Sequence, residues 1–341
     1  MTVQDVSHVE LYTRHAPTAV DYFVSGMGFT RVADSVESDR SSILLRQGKT
    51  RLVVTSGPGT TRFLDHHGDG IADIAFTCDD VTATRDAAVA ASARSLGLSH
   101  GRPVVSGFGD VTHTLLPHAT AATAEPPPGR RWVPTTPAPQ VTQEGPVRLL
   151  DHIAVCVEGH RLTEYADFYE SAFGMSRYSS EYVAVGDQAM DSIVVRSDSG
   201  HVTFTLVAPD PSKEPGQLDA FLERNGGAGA QHLAFLVDEI IPAVRYMRGN
   251  GTEFLSTPDS YYDVLAERIT GMREEVAQLR ATQVLADRDD WGYLLQLFSR
   301  SPYERNTLFF ELIQRQGSRG FGSANIRALY EAVERDRLAA G

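Results

Sequence analysis

Leu150-Asp151-His152-Ile153-Ala154-Val155 reads as a strand, one histidine set among branched and small apolar residues. It has a counterpart near the start of the chain, Val6-Ser7-His8-Val9-Glu10-Leu11. Working outward, each is followed by a segment with apolar residues at helical spacing that ends on a Gly/Phe pair, TAVDYFVSGMGF (18–29) and LTEYADFYESAFGM (162–175). Alternating runs come next, SSILLRQGKTRLVVTS (41–56) and DSIVVRSDSGHVTFTLVAP (191–209). The order then restarts. GDGIADIAFTCDDV (68–81) aligns with GAGAQHLAFLVDEI (227–240), helical segments follow, and GDVTHTLLP (109–117) and TLFFELIQR (307–315) close each half. The repeat predicts four β-α-β-β-β units, two per half. That is an α+β fold with curved antiparallel sheets.

Between the halves, residues 119–146 (ATAATAEPPPGRRWVPTTPAPQVTQEGP) are rich in Pro, Ala and Thr and lack apolar periodicity. They read as an extended linker between domains at 1–118 and 147–341. The 341 residues are enough for two cores. Acidic side chains (44) outnumber basic ones (31), a net charge of −13 that offers no footprint for nucleic acid or an anionic membrane. No run of apolar residues is long enough to span a bilayer, and MTVQDVSHVELYT at the N-terminus has no secretory pattern. Two cysteines, Cys78 and Cys156, give no disulfide framework, and both read as small buried residues on strands. A cytoplasmic enzyme or binding protein is expected. The acidic run at 287–290 reads as a solvated turn rather than a calcium loop, and no nucleotide-binding or serine-hydrolase motif is present.

The repeat picks out three metal-binding residue types in the second half. His152 lies on the first strand of unit three, His232 on the first strand of unit four, and Glu311 on its last strand. Two imidazoles and one carboxylate on one face of an octahedron leave positions open for substrate and O₂, as non-haem iron oxygenases require. Spacing alone also allows a plainer reading. Eleven histidines permit many such sets, and a strand histidine is commonly a satisfied core residue.

Four further stretches narrow this: NGGAGAQHLAF (225–235), FLSTPDSYYDVL (254–265), DWGYLLQLFSRSP (290–302) and RNTLFFELIQRQGSRGFGSANIRALYEAVERD (305–336). With them the chain resembles the family of 4-hydroxyphenylpyruvate dioxygenase and 4-hydroxymandelate synthase, in the vicinal oxygen chelate superfamily. The likeness is dense from about residue 150 onward. It implies Fe(II) held by His152, His232 and Glu311, with 4-hydroxyphenylpyruvate and O₂ as substrates. It also implies that Ser192, Thr205, Val207, Gln217, Phe298, Phe309 and Phe321 line the substrate pocket. Gln296 would hydrogen-bond near the 2-oxo acid or an iron ligand. The phenol end of the substrate could meet Ser192, Thr205 or a water. In the first half, His8 takes the place of His152 and Asp73 that of His232, and His113 lies on the closing strand. Remnants in a non-catalytic packing domain are favoured there over a second metal site.

Family members divide by product. Dioxygenases carry Pro-Leu/Ile-Asn-Glu-Pro before unit four, where this chain has Thr205-Leu206-Val207-Ala208-Pro209. They carry Gly-Phe-Gly-x-Gly-Asn-Phe near the C-terminus, where this chain has Gly320-Phe321-Gly322-Ser323-Ala324-Asn325-Ile326. Loss of the amide at 207 and of a ring at 326 would let the substrate ring swing aside and present its benzylic carbon. Ile326 is therefore expected to aim the ring. These departures point to the branch that hydroxylates the benzylic carbon and gives 4-hydroxymandelate, in the family a precursor of hydroxyphenylglycine for peptide antibiotics. Homogentisate formation is the runner-up, and a metal-free binding protein of the same fold is the reading outside enzymes. The segment 323–340 has Ile326, Leu329, Tyr330 and Val333 at helical spacing and is expected to form a lid. A homodimer is the default for such relatives.

Overall fold

The computed structural model describes residues 3–118, 126–135, 145–268, 273–322 and 325. Two sheets carry the architecture. The first comprises β1 (Val3–Tyr12), β2 (Thr30–Val36), β3 (Ser41–Gln47), β4 (Thr50–Ser56), β5 (Gly70–Cys78), β6 (Ser95–Ser99), β7 (Arg102–Ser106), β8 (Thr112–Pro117) and β9 (Val133–Pro134), in the order β6-β7-β8-β5-β1-β4-β3-β2-β9. The second comprises β10 (Val147–Cys156), β11 (Ser176–Val185), β12 (Gln188–Arg196), β13 (Thr203–Pro209), β14 (Gly229–Val237), β15 (Leu285–Arg288), β16 (Tyr293–Phe298) and β17 (Phe309–Gln316), in the order β11-β12-β13-β10-β14-β17-β16-β15.

Each sheet is two β-α-β-β-β units joined through their first strands. β1 pairs antiparallel with β5, and β10 with β14. Each first strand pairs on its other side in parallel with the last strand of its own unit. The helices are α1 (Ala16–Asp21), α2 (Thr61–His67), α3 (Val81–Ala90), α4 (Leu162–Phe173), α5 (Gln217–Asn225), α6 (Ile240–Gly249), α7 (Asp259–Arg268) and α8 (Arg273–Thr282). α4 shows why the amphipathic segments fold so. It buries Leu162, Tyr165, Ala166, Tyr169, Ala172 and Phe173 on one stripe and stops at Gly174, whose φ of 65° is the left-handed C-cap.

The two halves share one core rather than holding one each. Phe76 of the first half packs 6.0 Å from Phe204 of the second, and Phe23 lies 5.2 Å edge-on to Phe310. Alternation then decides the rest. On β10, Ile153 and Val155 enter that shared core, so His152, Ala154 and Cys156 face the opposite side of the sheet. Register carries the same side to His232 on β14 and Glu311 on β17.

Two sequence expectations change here. Part of the segment read as an extended linker is built into the first half. Residues Val133–Pro134 pair with β2, and Arg130 reaches under the sheet to form a buried ion pair with Glu10. His113 does not join His8 and Asp73. It lies on the core side, 3.1 Å from the Ile74 carbonyl and 2.8 Å from the Tyr169 hydroxyl, because the residue in register with Glu311 is Thr114. Ile326 and all but Asn325 of the expected lid segment lie outside the described residues.

Candidate metal centre

His152, His232 and Glu311 are all buried, and one ligand atom from each lies within 4.8 Å of the other two. The imidazoles meet the carboxylate edge-on. His152 Nε2 is 3.4 Å and His232 Nε2 3.2 Å from the same oxygen, Glu311 Oε2. Each remaining polar atom is held from behind. His152 Nδ1 donates to Asp151 Oδ1 at 2.8 Å, and His232 Nδ1 faces Gln231 Oε1 at 3.2 Å. Glu311 Oε1 accepts from Gln296 Nε2 at 2.8 Å. Both Nε2 atoms and Oε2 are thereby turned toward one point, as outer hydrogen bonds prepare ligands for a metal.

A β-bulge produces the Asp151 contact. Leu150 and His152 pair with consecutive residues of β14, leaving Asp151 as the extra residue. Its carboxylate meets both His152 and Arg315, whose Nε and Nη2 lie 2.8 and 2.7 Å from the two oxygens. β1 has the same slip at Ser7. Burial would raise the Asp151 carboxyl, but the Arg315 and His152 contacts hold it well below the usual range.

Charge in the triad is balanced by one proton. Burial works against ionised Glu311, yet the charge and hydrogen bonds of His152 and His232 outweigh it and hold the carboxyl at about 2. Burial also works against a charged His152, yet Glu311 and Asp151 hold the imidazole at about 9. Burial keeps His232 below its ordinary value. A divalent cation replaces that proton while keeping the two nitrogens and the oxygen as neighbours. The donor set, two imidazoles and a carboxylate, suits a first-row divalent metal, iron among them.

By register, Ser192, Thr205, Val207, Phe298 and Phe309 lie on the same sheet face as the three side chains. Phe309 stacks over His232 at 4.9 Å, and Phe298 lies 6.0 Å away edge-on. With Leu285, Leu255 and Tyr261 these two form one apolar wall. Val207 joins Cys156, Met190, Leu218 and Phe221 in another, and Gln217 is half-buried at the start of α5 beside Leu218. Phe321 stands edge-on to His152 at 5.2 Å, with the Arg315 guanidinium over its ring. Ser192 donates its hydroxyl hydrogen to the Glu181 carbonyl at 3.1 Å. Thr205 differs, since its Oγ1 is buried with no hydrogen-bond partner. It pairs with Ala154, which pairs in turn with His232, so it stands about two strand spacings, ~10 Å, from the histidine.

Gln296, expected near the 2-oxo acid or an iron ligand, donates to the Glu311 carboxylate. Its Oε1 accepts from Asn325 at 3.0 Å, and Asn325 Oδ1 lies 2.9 Å from the Tyr261 hydroxyl. Gly322, at φ 79°, passes so close that a Cβ there would stand 2.1 Å from Gln296 Oε1. Sequence reasoning missed Asp151, Arg315, Asn325 and Tyr261. A carboxylate directly before the strand histidine was the available signal for the first. Asp289, in the acidic run, accepts from Trp291 and Gly292 through one oxygen and from Ser318, Arg319 and Gly320 through the other, so it anchors the loop carrying Phe321.

Residues 5–97 and 149–297 match the glyoxalase/bleomycin resistance protein/dioxygenase superfamily. 4-Hydroxyphenylpyruvate dioxygenase of Neurospora crassa is 32% identical over 297 residues, covering 82% of this chain and 72% of that protein. The Danio rerio enzyme of the same name is 30% identical, covering 98% and 91%. A solved mutant of 4-hydroxymandelate synthase from Streptomyces coelicolor superposes with a TM-score of 0.91 at 48% identity, covering 99% of this chain and 100% of that one. The chain belongs to this family. The family's fold, four β-α-β-β-β units in two half-barrels, is the one described above. No helix among the described residues is long and apolar enough to cross a membrane.

Proposed function

We propose that this chain is an Fe(II)-dependent oxygenase that converts 4-hydroxyphenylpyruvate and O₂ to 4-hydroxymandelate and CO₂. The observation that carries the choice of product is the wall on β13, where Thr205 has an unpartnered buried hydroxyl and Val207 is apolar. The 48% identity to a 4-hydroxymandelate synthase supports the same reading.

His152, His232 and Glu311 would hold the iron, which when bound supplies a site for the 2-oxo acid and O₂ and the electron transfer between them. Asp151, Gln231 and Gln296 fix the three side chains, so the site needs no rearrangement to bind. Thr205 Oγ1 receives the phenol. Without that contact its buried hydroxyl stays unsatisfied, so ring position and hydroxyl pairing are coupled. Phe298 and Phe309 exclude water on the β16–β17 side. Val207 offers the ring no amide to hold it, which leaves the benzylic carbon as the part turned to the reacting end. Ile326, by its place in the motif, is the residue expected to leave room for that tilt.

The test is product identity. Purified protein incubated with Fe(II), ascorbate and 4-hydroxyphenylpyruvate is expected to yield 4-hydroxymandelate by chromatography and mass spectrometry. Homogentisate as the major product would overturn the proposal. Val207→Asn and Ile326→Phe should each raise the homogentisate share. Absence of both iron uptake and O₂ consumption would instead favour a binding protein.

A further inference from the structure

Among the described residues, one other group has its ligand atoms within 4.8 Å of one another, His66, His67 and Asp110. We propose that these three side chains form a second metal site, for a zinc-like first-row divalent cation, at the junction of the two halves. The reading is independent of the oxygenase assignment.

His66 and His67 end α2, and Asp110 lies in the turn between β7 and β8. His67 is 4% exposed, and its Nδ1 lies 2.6 Å from the Asn225 carbonyl oxygen. A carbonyl only accepts, so Nδ1 carries the hydrogen, and in the neutral ring Nε2 is left as a bare lone pair. That lone pair faces another acceptor, Asp110 Oδ2, at 3.1 Å. One metal ion between the two atoms would satisfy both. His66 supplies a third ligand atom, within 4.8 Å of the other two, and that third donor is what points to a metal. Its ring stands 4.6 Å from that of His67 at 85°, and a Cβ on Gly226 would come within 3.1 Å of its Nε2, so the glycine leaves that nitrogen its space.

Two imidazole nitrogens and one carboxylate oxygen suit zinc, with a water completing the tetrahedron, better than the oxygen-rich sets of calcium or magnesium. The side chains open on a cleft of about 930 Å³ that a solvated cation can enter; the other carboxylates along it, Glu158, Glu164 and Asp167, are already paired with Arg161 and Arg177, so the two histidines and Asp110 are the available ligands. Both ends of the joint are already tied. His67 holds Asn225 of the second half, and Arg305 donates to the carbonyls of Asp65, His66 and Arg224. A metal there would lock α2 to the β7–β8 turn and brace this joint, away from the iron chemistry.

The test is zinc binding to the iron-loaded full chain by equilibrium dialysis, with iron measured in the same samples so that exchange at His152, His232 and Glu311 is counted separately. One added equivalent of zinc and a higher Tm are expected. His66→Ala and Asp110→Asn, both on exposed side chains, should each weaken that equivalent by more than ~10-fold and leave iron content unchanged. Anomalous scattering at the zinc edge should put a peak between the three side chains. No added equivalent, or one that survives both substitutions, would overturn the proposal.

Discussion

Gln296 Nε2 donates to Glu311 Oε1 at 2.8 Å, so the carboxylate presents its other oxygen to both His152 and His232. One amide thus sets which oxygen is free. The amide is itself set, through Asn325 on one side and the Phe321 carbonyl on the other.

Gln296→Met keeps the volume and removes the amide. Iron affinity is expected to fall ~10–100-fold, the usual cost of losing an outer hydrogen bond to a ligand. Isothermal titration under anaerobic conditions reads it, and saturating iron should restore most of kcat. Unaltered affinity would show that Glu311 needs no such support.

Asp151→Ala leaves the half-buried Arg315 guanidinium without its carboxylate and frees His152 Nδ1. Unfolding free energy should drop by ~2 kcal/mol, the worth of hydrogen bonds to a charged group. Adding Arg315→Ala should cost less than the sum of the single changes, because the orphaned charge is then gone. Denaturant melts of the three variants check this, and strict additivity would refute the coupling.

Thr205→Val removes the hydroxyl at nearly constant shape. kcat/KM for 4-hydroxyphenylpyruvate should fall ~5–10-fold relative to phenylpyruvate, the worth of one neutral hydrogen bond. Parallel steady-state kinetics on both substrates measure the ratio. Equal losses on the two would remove Thr205 from the phenol end.

In the first half, Asp73 gives a pH signature. Burial pushes its carboxyl up to about 7 from an ordinary 3.8, despite the Thr112 hydrogen bond. The native state therefore holds a proton that the unfolded chain releases. Its contribution is present in full below pH 3.8 and is lost as pH rises through 7. Asp73→Asn, which mimics the protonated form, should match the parent near pH 4 and exceed it in stability at pH 8, by no more than ~4 kcal/mol. A flat difference across that range of pH would contradict the assignment.

The unit repeat was legible because alternation and helical spacing are local properties. LDHIAV and GAGAQHLAF needed only a period of two to be strands. The triad was legible because the repeat assigned each ligand a strand position, and the resemblance singled it out from eleven histidines. His113 misled for the opposite reason. On a strand, one step of register exchanges the two faces, and only the pairing of Asp73 with Thr112 shows that Thr114 shares a face with the site. The Asp151 contact was hidden in the same way, since a bulge is a property of two strands together.

By itself, then, the sequence determined the order of elements and the two halves, consequences of short-range pattern and repetition, while the three candidate ligands emerged from that repeat only with the family resemblance beside it. Tertiary structure alone decided that the halves share one core, that Arg130 closes the first half's site face against Glu10, and that Thr205 is left unpartnered while Ser192 is not. Those outcomes depend on which groups meet across strands and across the joint, and chain order does not encode such distances except through the folded packing.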